Sequence, residues 1–516
     1  MTQIIGVDVG GTFTDLISFD VNSDTVRIAK VLSTPENQAF GVMKALETAE
    51  TNLPSVETLI HGTTVTTNAL LERKISRVGL ITTRGFRDVL ELGRRTRPKP
   101  YGMTGIFECI IPREFRLEVK ERIDSDGEII EPLNKNDVTK AIKQLIENGI
   151  ESLIIHFLHS YKNDIHERIA SDIAKDLWPN SFITRGSELV TEFREYERGT
   201  TAAINAAIQP VLHNYIQRLQ QQLKEDKYSK DLLVMQGNGG TVSSSIVSDE
   251  AVKTVMSGPA SGVMAAAYTS TQCGFGHVVT YDMGGTSCDV GLIVDGIPQV
   301  TSELEIEYAM PIHVPMVDVH TIGAGGGSLA WVNDAGLLQV GPESAGAQPG
   351  PICYGRGGTK PTITDANLIL GRLNPESLLS VENPVSIETV QNKVIDDVGR
   401  DLGFKGMEET ASAIIRIANM NMAGALRLVS LARGYDPRDF VLFAFGGAGP
   451  LHAVSLAAEL GIPKVLVPMR PGITNAVGCV VADVRHDYVN SINVPLAQAN
   501  MNQVHEIFVS QIKAGK

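Results

Sequence analysis

Two short segments of this 516-residue chain place an acid, two glycines and a threonine in the same order. They are Asp8, Gly10, Gly11 and Thr12, then Asp282, Gly284, Gly285 and Thr286, and each threonine is followed three residues on by a further aspartate, Asp15 or Asp289. A tight turn without Cβ atoms lets backbone N–H groups approach phosphate oxygens closely, and the threonine hydroxyls add donors. An aspartate cannot ligate phosphate itself. It can hold the hydrated Mg²⁺ that neutralises phosphates, or orient an attacking water. Taken singly, each segment also reads as an ordinary β-turn, because Asp and Gly favour turns. Repetition in matching contexts favours a pair of phosphate hairpins that clamp a nucleotide from opposite sides. The G-x-x-x-x-G-K-[ST] pattern of a P-loop is missing from the sequence, and the glycines run on into strands, whereas a dinucleotide fingerprint opens a helix.

The elements that must carry these hairpins follow from the hydrophobic pattern. Strands are expected at 4–9, 12–19 and 26–31, helices at 37–50 and 65–73, and a strand at 78–82. A charged, extended stretch at 113–131 precedes a helix, strand and helix at 138–148, 152–158 and 164–177, which predicts an inserted or second α/β unit. A long helical pattern covers 195–223, where Pro210 is expected to bend or interrupt it. After a strand at 232–235 the strand–glycine pattern returns at 277–281 and 290–294. A helix at 408–431 and a closing unit of strand 440–445, helix 451–460 and strand 464–467 complete the pattern. The expected division is 1–200 for a first lobe, 201–487 for a second, and 488–516 for the start of a truncated C-terminal region.

The formal charge of −14 weighs against a nucleic-acid binder, which carries a basic patch. No run of about 20 apolar residues predicts a membrane span, and no leader pattern opens the chain, so the cytoplasm is the default expectation. The five cysteines fit no C-x-x-C spacing and read as free thiols.

Several other residues could do chemistry. Asp318 and His320 precede a glycine run at 323–327, with His313 seven residues before His320. They read as structural or substrate-facing groups, as an acid–base pair, or as metal ligands. His61 and the threonines 63, 64 and 66 read as a capped helix start or as a phosphate contact. Arg94, Arg95 and Arg97 read as an anion receiver or as solvated surface. Gly446, Gly447 and Gly449 lie between a strand and a helix, where they either face an adenosine or let the helix approach the sheet.

The segments GVDVGGTFTD at 6–15, HGTTVTTN at 61–68, MSGPASG at 256–262, DMGGTSCD at 282–289, TIGAGGGS at 321–328 and FGGAGP at 445–450 resemble the hydantoinase A and 5-oxoprolinase group. That group includes the smaller subunits of N-methylhydantoinases and of acetone-type carboxylases. The resemblance implies an α/β, actin-like (ribonuclease H-like) two-lobed ATPase fold with an additional α/β segment. It implies ATP and Mg²⁺ as cofactors, with Asp8 and Asp282 at the metal, Gly10, Gly11, Thr12, Gly284, Gly285 and Thr286 on the phosphates, and Gly446, Gly447 and Gly449 as the adenosine loop. The implied reaction is ATP-dependent opening of a cyclic amide through phosphorylation of its carbonyl oxygen. Activation of a ketone for carboxylation is the alternative. A B-type partner subunit is implied as well; a homo-oligomer stays open. Two competitors use the same hairpins: a metabolite kinase, and a non-catalytic ATP-binding scaffold or switch.

Overall fold

The computed structural model describes residues 3–34, 38–94, 96–97, 101–102, 108–376, 378, 381, 385–492 and 494–516; Arg95 lies outside them. The first hairpin forms because burial alternates along its second strand, Phe13–Asp20, while the end of its first strand, Gln3–Val9, is enclosed on both faces. Thr25–Leu32 adds a third antiparallel strand, and Val56–Thr63 and then Leu232–Met235 join parallel to the first strand, with Thr241–Ser243 at the edge. The second lobe repeats the plan. Val278–Met283 pairs antiparallel with Cys288–Val294, which pairs with Val319–Ile322; on the other side Val441–Phe445 and Lys464–Leu466 run parallel. Both sheets therefore order their strands third, second, first, fourth, fifth. This is the two-lobed, actin-like α/β arrangement that the resemblance implies.

The additional α/β segment interrupts the first lobe between its fourth and fifth strands. It is a four-stranded parallel sheet in the order Ile183–Arg185, Ser152–His156, Val78–Thr83, Arg116–Val119. Helices Lys135–Glu147 and Ile165–Leu177 pack on it through Val138, Ile142, Ala170 and Ala174.

The chain returns to the first lobe along one helix, Glu195–Glu225, which runs unbroken through Pro210. The expected interruption does not occur. A proline inside a helix forfeits one backbone hydrogen bond, a cost of about 3 kcal/mol. Here every residue from Tyr196 to Pro210 is buried, so packing on both sides outweighs that loss. No helix among the described residues is long and apolar enough to cross a membrane, and all five cysteines are free thiols.

Candidate functional site

The two hairpins are built to the same register. Asp8 lies opposite Asp15 and Asp282 opposite Asp289. Each turn is closed by its first glycine: Gly10 N–H donates to the Phe13 carbonyl at 2.9 Å, and Gly284 N–H donates to the Ser287 carbonyl at 3.1 Å. Closure leaves the tips, Gly11 and Gly285, exposed. The two hairpins meet across the lobes, where a Cβ placed on Gly285 would stand 3.7 Å from Thr12 Oγ1.

Because side chains alternate along a strand, residues in register share one face of a sheet. The third strand extends each aspartate pair into a row of three. In the first lobe Lys30 stands opposite Asp15, and its ammonium donates to Asp15 Oδ1 at 2.6 Å. In the second lobe Thr321 takes that place, and its hydroxyl donates to Asp289 Oδ1 at 2.5 Å.

Four carboxyl groups thus converge from two lobes. Burial, followed by the charge of Asp15, pushes Asp8 up to about 7, although Lys30 and Asn475 act against the rise. Burial and then Asp289 push Asp282 up to about 7, with Asp8 and Asp15 adding to the effect. Burial raises Asp289 to about 6, and Asp15 is raised for the same reason against the pull of Lys30. A divalent cation is the counter-charge that such a set would accept. Asp8 Oδ1 and Asn475 Oδ1 are both enclosed without a hydrogen-bond partner, the first against Gly62 and the second against Gly262. Among the described residues no three His, Cys, Asp or Glu side chains form a metal-binding group. Mg²⁺ needs no such cage, since it commonly takes one or two carboxylates, waters and phosphate oxygens.

Glycines hold the machinery together where side chains would not fit. Gly446, at φ +80°, passes so close to Asp282 that a Cβ would come within 2.3 Å of Oδ1. The next residues lead into the helix Gly449–Leu460, and Ala448 N–H donates to the Met283 carbonyl at 3.0 Å. The glycine run at 323–327 brackets the second tip: Gly326 and Gly327 donate to the carbonyls of Gly284 and Gly285 at 3.0 and 2.7 Å.

The remaining candidates separate from this centre. His320 leaves its strand on the face opposite Thr321, and both carboxylate oxygens of Asp318, which precedes that strand, are taken by Arg433. His313 bonds instead to Glu192 at 2.5 Å. His61 is buried on the strand beside the first hairpin, opposite Val7, where its Nε2 meets the Tyr215 hydroxyl at 2.8 Å. Thr64 begins the helix Val65–Leu71 without capping it through its side chain, its hydroxyl donating instead to the Val9 carbonyl at 3.0 Å. Arg94 is held by Glu197 and Glu303. Lys30, Asn475 and the neighbouring Gly472, whose carbonyl accepts from Lys30 at 3.0 Å, belong to no motif in the sequence and are found only through the structure. An alternating third strand after the first hairpin is the one available signal for Lys30.

Residues 4–178 match the hydantoinase/oxoprolinase N-terminal region, and residues 198–488 match the hydantoinase/oxoprolinase family itself. An uncharacterised protein of Methanocaldococcus jannaschii is 40% identical, the match covering 99% of this chain and 77% of that one. The caprolactamase subunit alpha of Pseudomonas jessenii is 36% identical over 95% of this chain and 72% of its own length. The crystal structure of that organism's ATP-dependent caprolactamase superposes with a TM-score of 0.85 at 34% identity, covering 99% of this chain and 76% of that chain. A nucleotide-free acetone carboxylase, from work on ATP-dependent acetone carboxylation, superposes with a TM-score of 0.82 at 27% identity over 98% and 74%. With a shared fold, paired hairpins and matches along nearly its whole length, the chain belongs to the hydantoinase/oxoprolinase family and is an ATP-dependent enzyme of that type.

Proposed function

We propose that this chain is the ATP-handling, A-type subunit of a cyclic amidohydrolase, which phosphorylates a hydantoin-, 5-oxoproline- or lactam-type carbonyl for hydrolytic ring opening. The observation that carries this reading is the opposed pair of hairpin tips, with Asp8 and Asp282 behind them. Gly10, Gly11 and Thr12 would hold the phosphates from one side, and Gly284, Gly285 and Thr286 from the other, while the Gly446, Gly447 and Gly449 loop faces the nucleoside. Asp8 and Asp282 would hold Mg²⁺, whose charge offsets that of the phosphates. The amide oxygen bonds to the γ-phosphorus as the bond to the ADP oxygen breaks. Water then adds to the activated carbon, the ring C–N bond opens, and phosphate leaves. Closure of the two lobes would keep bulk water from the phosphoryl group until the substrate oxygen is in place.

The caprolactamase likeness supports a cyclic amide, and the relative's designation as subunit alpha supports a B-type partner. Free thiols fit a cytoplasmic setting. The acetone carboxylase likeness supports a second reading in which a ketone, as its enolate oxygen, receives the phosphoryl group before carboxylation.

The test is lactam- or ketone-dependent ATP hydrolysis by the chain co-purified with its partner, using substrate labelled with ¹⁸O at the carbonyl. Label recovered in phosphate is the expected result. ATP turnover indifferent to every cyclic amide and ketone defeats the reading, and a stable phosphorylated product transfers it to a kinase.

A further inference from the structure

The floor of the cleft is a strap, residues 471–475, that touches all three parts of the site. Its Pro471 carbonyl accepts from Gly446 N–H at 2.9 Å. Its Gly472 carbonyl accepts from Lys30, the residue paired with Asp15. Its Asn475 side chain donates to Asp282 Oδ2 at 3.3 Å, and the same amide lies near enough to Asp8 to act against the rise of that carboxyl. One carboxamide therefore stands between the principal acids of the two lobes.

That placement is rigidly imposed. Asn475 lies in the first turn of the helix Thr474–Val481, which crosses the helix Ser257–Gln272 so closely that a Cβ on Gly478 would fall 1.8 Å from the Ser261 carbonyl oxygen. On its other side the same helix presses on the first strand, where a Cβ on Gly6 would meet the Ala476 carbonyl oxygen at 2.3 Å. A Cβ on Gly262 would come within 2.5 Å of Asn475 Oδ1. Neither Gly478 nor Gly6 can take a side chain without moving the helix, and one at Gly262 would displace the Asn475 carboxamide. Asn475 Oδ1 is nevertheless left enclosed and without a donor, although a buried amide normally has both ends satisfied.

We infer that Asn475 is a positioning residue, whose carboxamide fixes Asp8 and Asp282 relative to each other so that both lobes grip the cation and phosphates together. The inference rests on the assignment of those two aspartates to the cation. A neutral amide suits this position, since it donates to a carboxylate without adding a charge of its own. A lysine there would compete with the ion, and an aspartate would add a further buried charge.

The experiment measures ADP binding by calorimetry, in EDTA and across a Mg²⁺ titration, for the wild-type chain, Asn475→Ala and Asp282→Asn. For Asn475→Ala, affinity in EDTA should stay within about twofold of wild type, because the adenosine loop is intact. The Mg²⁺ concentration needed to tighten binding should rise at least about tenfold. If the alanine variant does not fold, Asn475→Ser is judged on the same shift. A purely structural asparagine would lower the melting temperature and leave the Mg²⁺ dependence alone; that result overturns the inference. Loss of the Mg²⁺ effect in Asp282→Asn but not in Asn475→Ala defeats the role of Asn475 alone. An unaltered Mg²⁺ effect in Asp282→Asn defeats the cation assignment, and the inference with it.

Discussion

Gly285 and Thr12, from different lobes and 273 positions apart in the chain (285 − 12), come close enough that a Cβ on the first would touch the hydroxyl of the second at 3.7 Å. That is ordinary van der Waals contact, so a small side chain at Gly285 is compatible with folding but takes up room between the tips. Gly285→Val should keep a melting temperature within about 2 °C of wild type, in line with the small stability effects of exposed sites. ATP affinity should fall at least about tenfold. Calorimetric titration with ATP and Mg²⁺ checks it, and wild-type affinity would show that phosphates do not pass between the tips.

Gly446 offers the opposite case. Its φ of +80° and the 2.3 Å approach of a Cβ to Asp282 Oδ1 forbid even alanine without a shift. Gly446→Ala should cost about 1–3 kcal/mol of stability, read as a lower urea midpoint.

Asp282 links pH to stability. Burial and neighbouring acids raise it in the folded chain from an ordinary carboxylate value to about 7. An acid with a raised folded pKa binds its proton more tightly when folded. Its contribution is fully present below the unfolded value near 4 and is lost as pH climbs to about 7. Asp282→Asn removes that loss. Its melting temperature should exceed that of the wild type by a margin that grows from pH 4 to 7 and then levels off, measured without nucleotide or divalent cation. A margin that shrinks with pH would show that Asp282 is charged at no cost in the folded state.

Lys30 works on the same cluster from the other lobe. Its charge lowers the pKa of both Asp8 and Asp15, so Lys30→Met should raise both. If the ionised carboxylates carry the cation, the acid limb of kcat/KM for substrate-dependent ATP turnover should move to higher pH. A limb that stays in place would separate Lys30 from the reaction.

Asp318 and Asp8 should part company in turnover. The Asp318–Arg433 pair is partly exposed, with side-chain accessibilities of 17% and 37%, and such pairs contribute about 0–1 kcal/mol. Asp318→Asn is expected to keep turnover within about threefold, whereas Asp8→Asn should lose about 100-fold or more. Steady-state rates of the two variants settle their roles, and an equal loss would restore Asp318 to the centre.

What the sequence reveals here depends on how far apart the interacting residues lie. Asp8 and Asp15, or Asp282 and Asp289, are joined by one turn, so residue types and spacing predict both hairpins and their register. The strap is of another kind. Lys30 reaches Gly472 across 442 positions, and Asn475 reaches Asp282 across 193; no local pattern encodes either contact. Pro210 is related, because local propensity predicts a bend or a break, and tertiary burial keeps the helix continuous. Asp318 and His320 illustrate a third limit: adjacency to a glycine run suggests a shared site, but Arg433 holds the first and strand alternation turns the second to the other face.

The third member of each acid row has a consequence for charge. The two lobes repeat one strand order and one register, so by backbone alone their acid rows would be equivalent. Lys30 in one lobe and Thr321 in the other break that equivalence, since Asp15 is matched by an ion pair and Asp289 only by a hydroxyl. The two halves thus share an architecture but not a charge balance, because a lysine completes only one of the two acid rows.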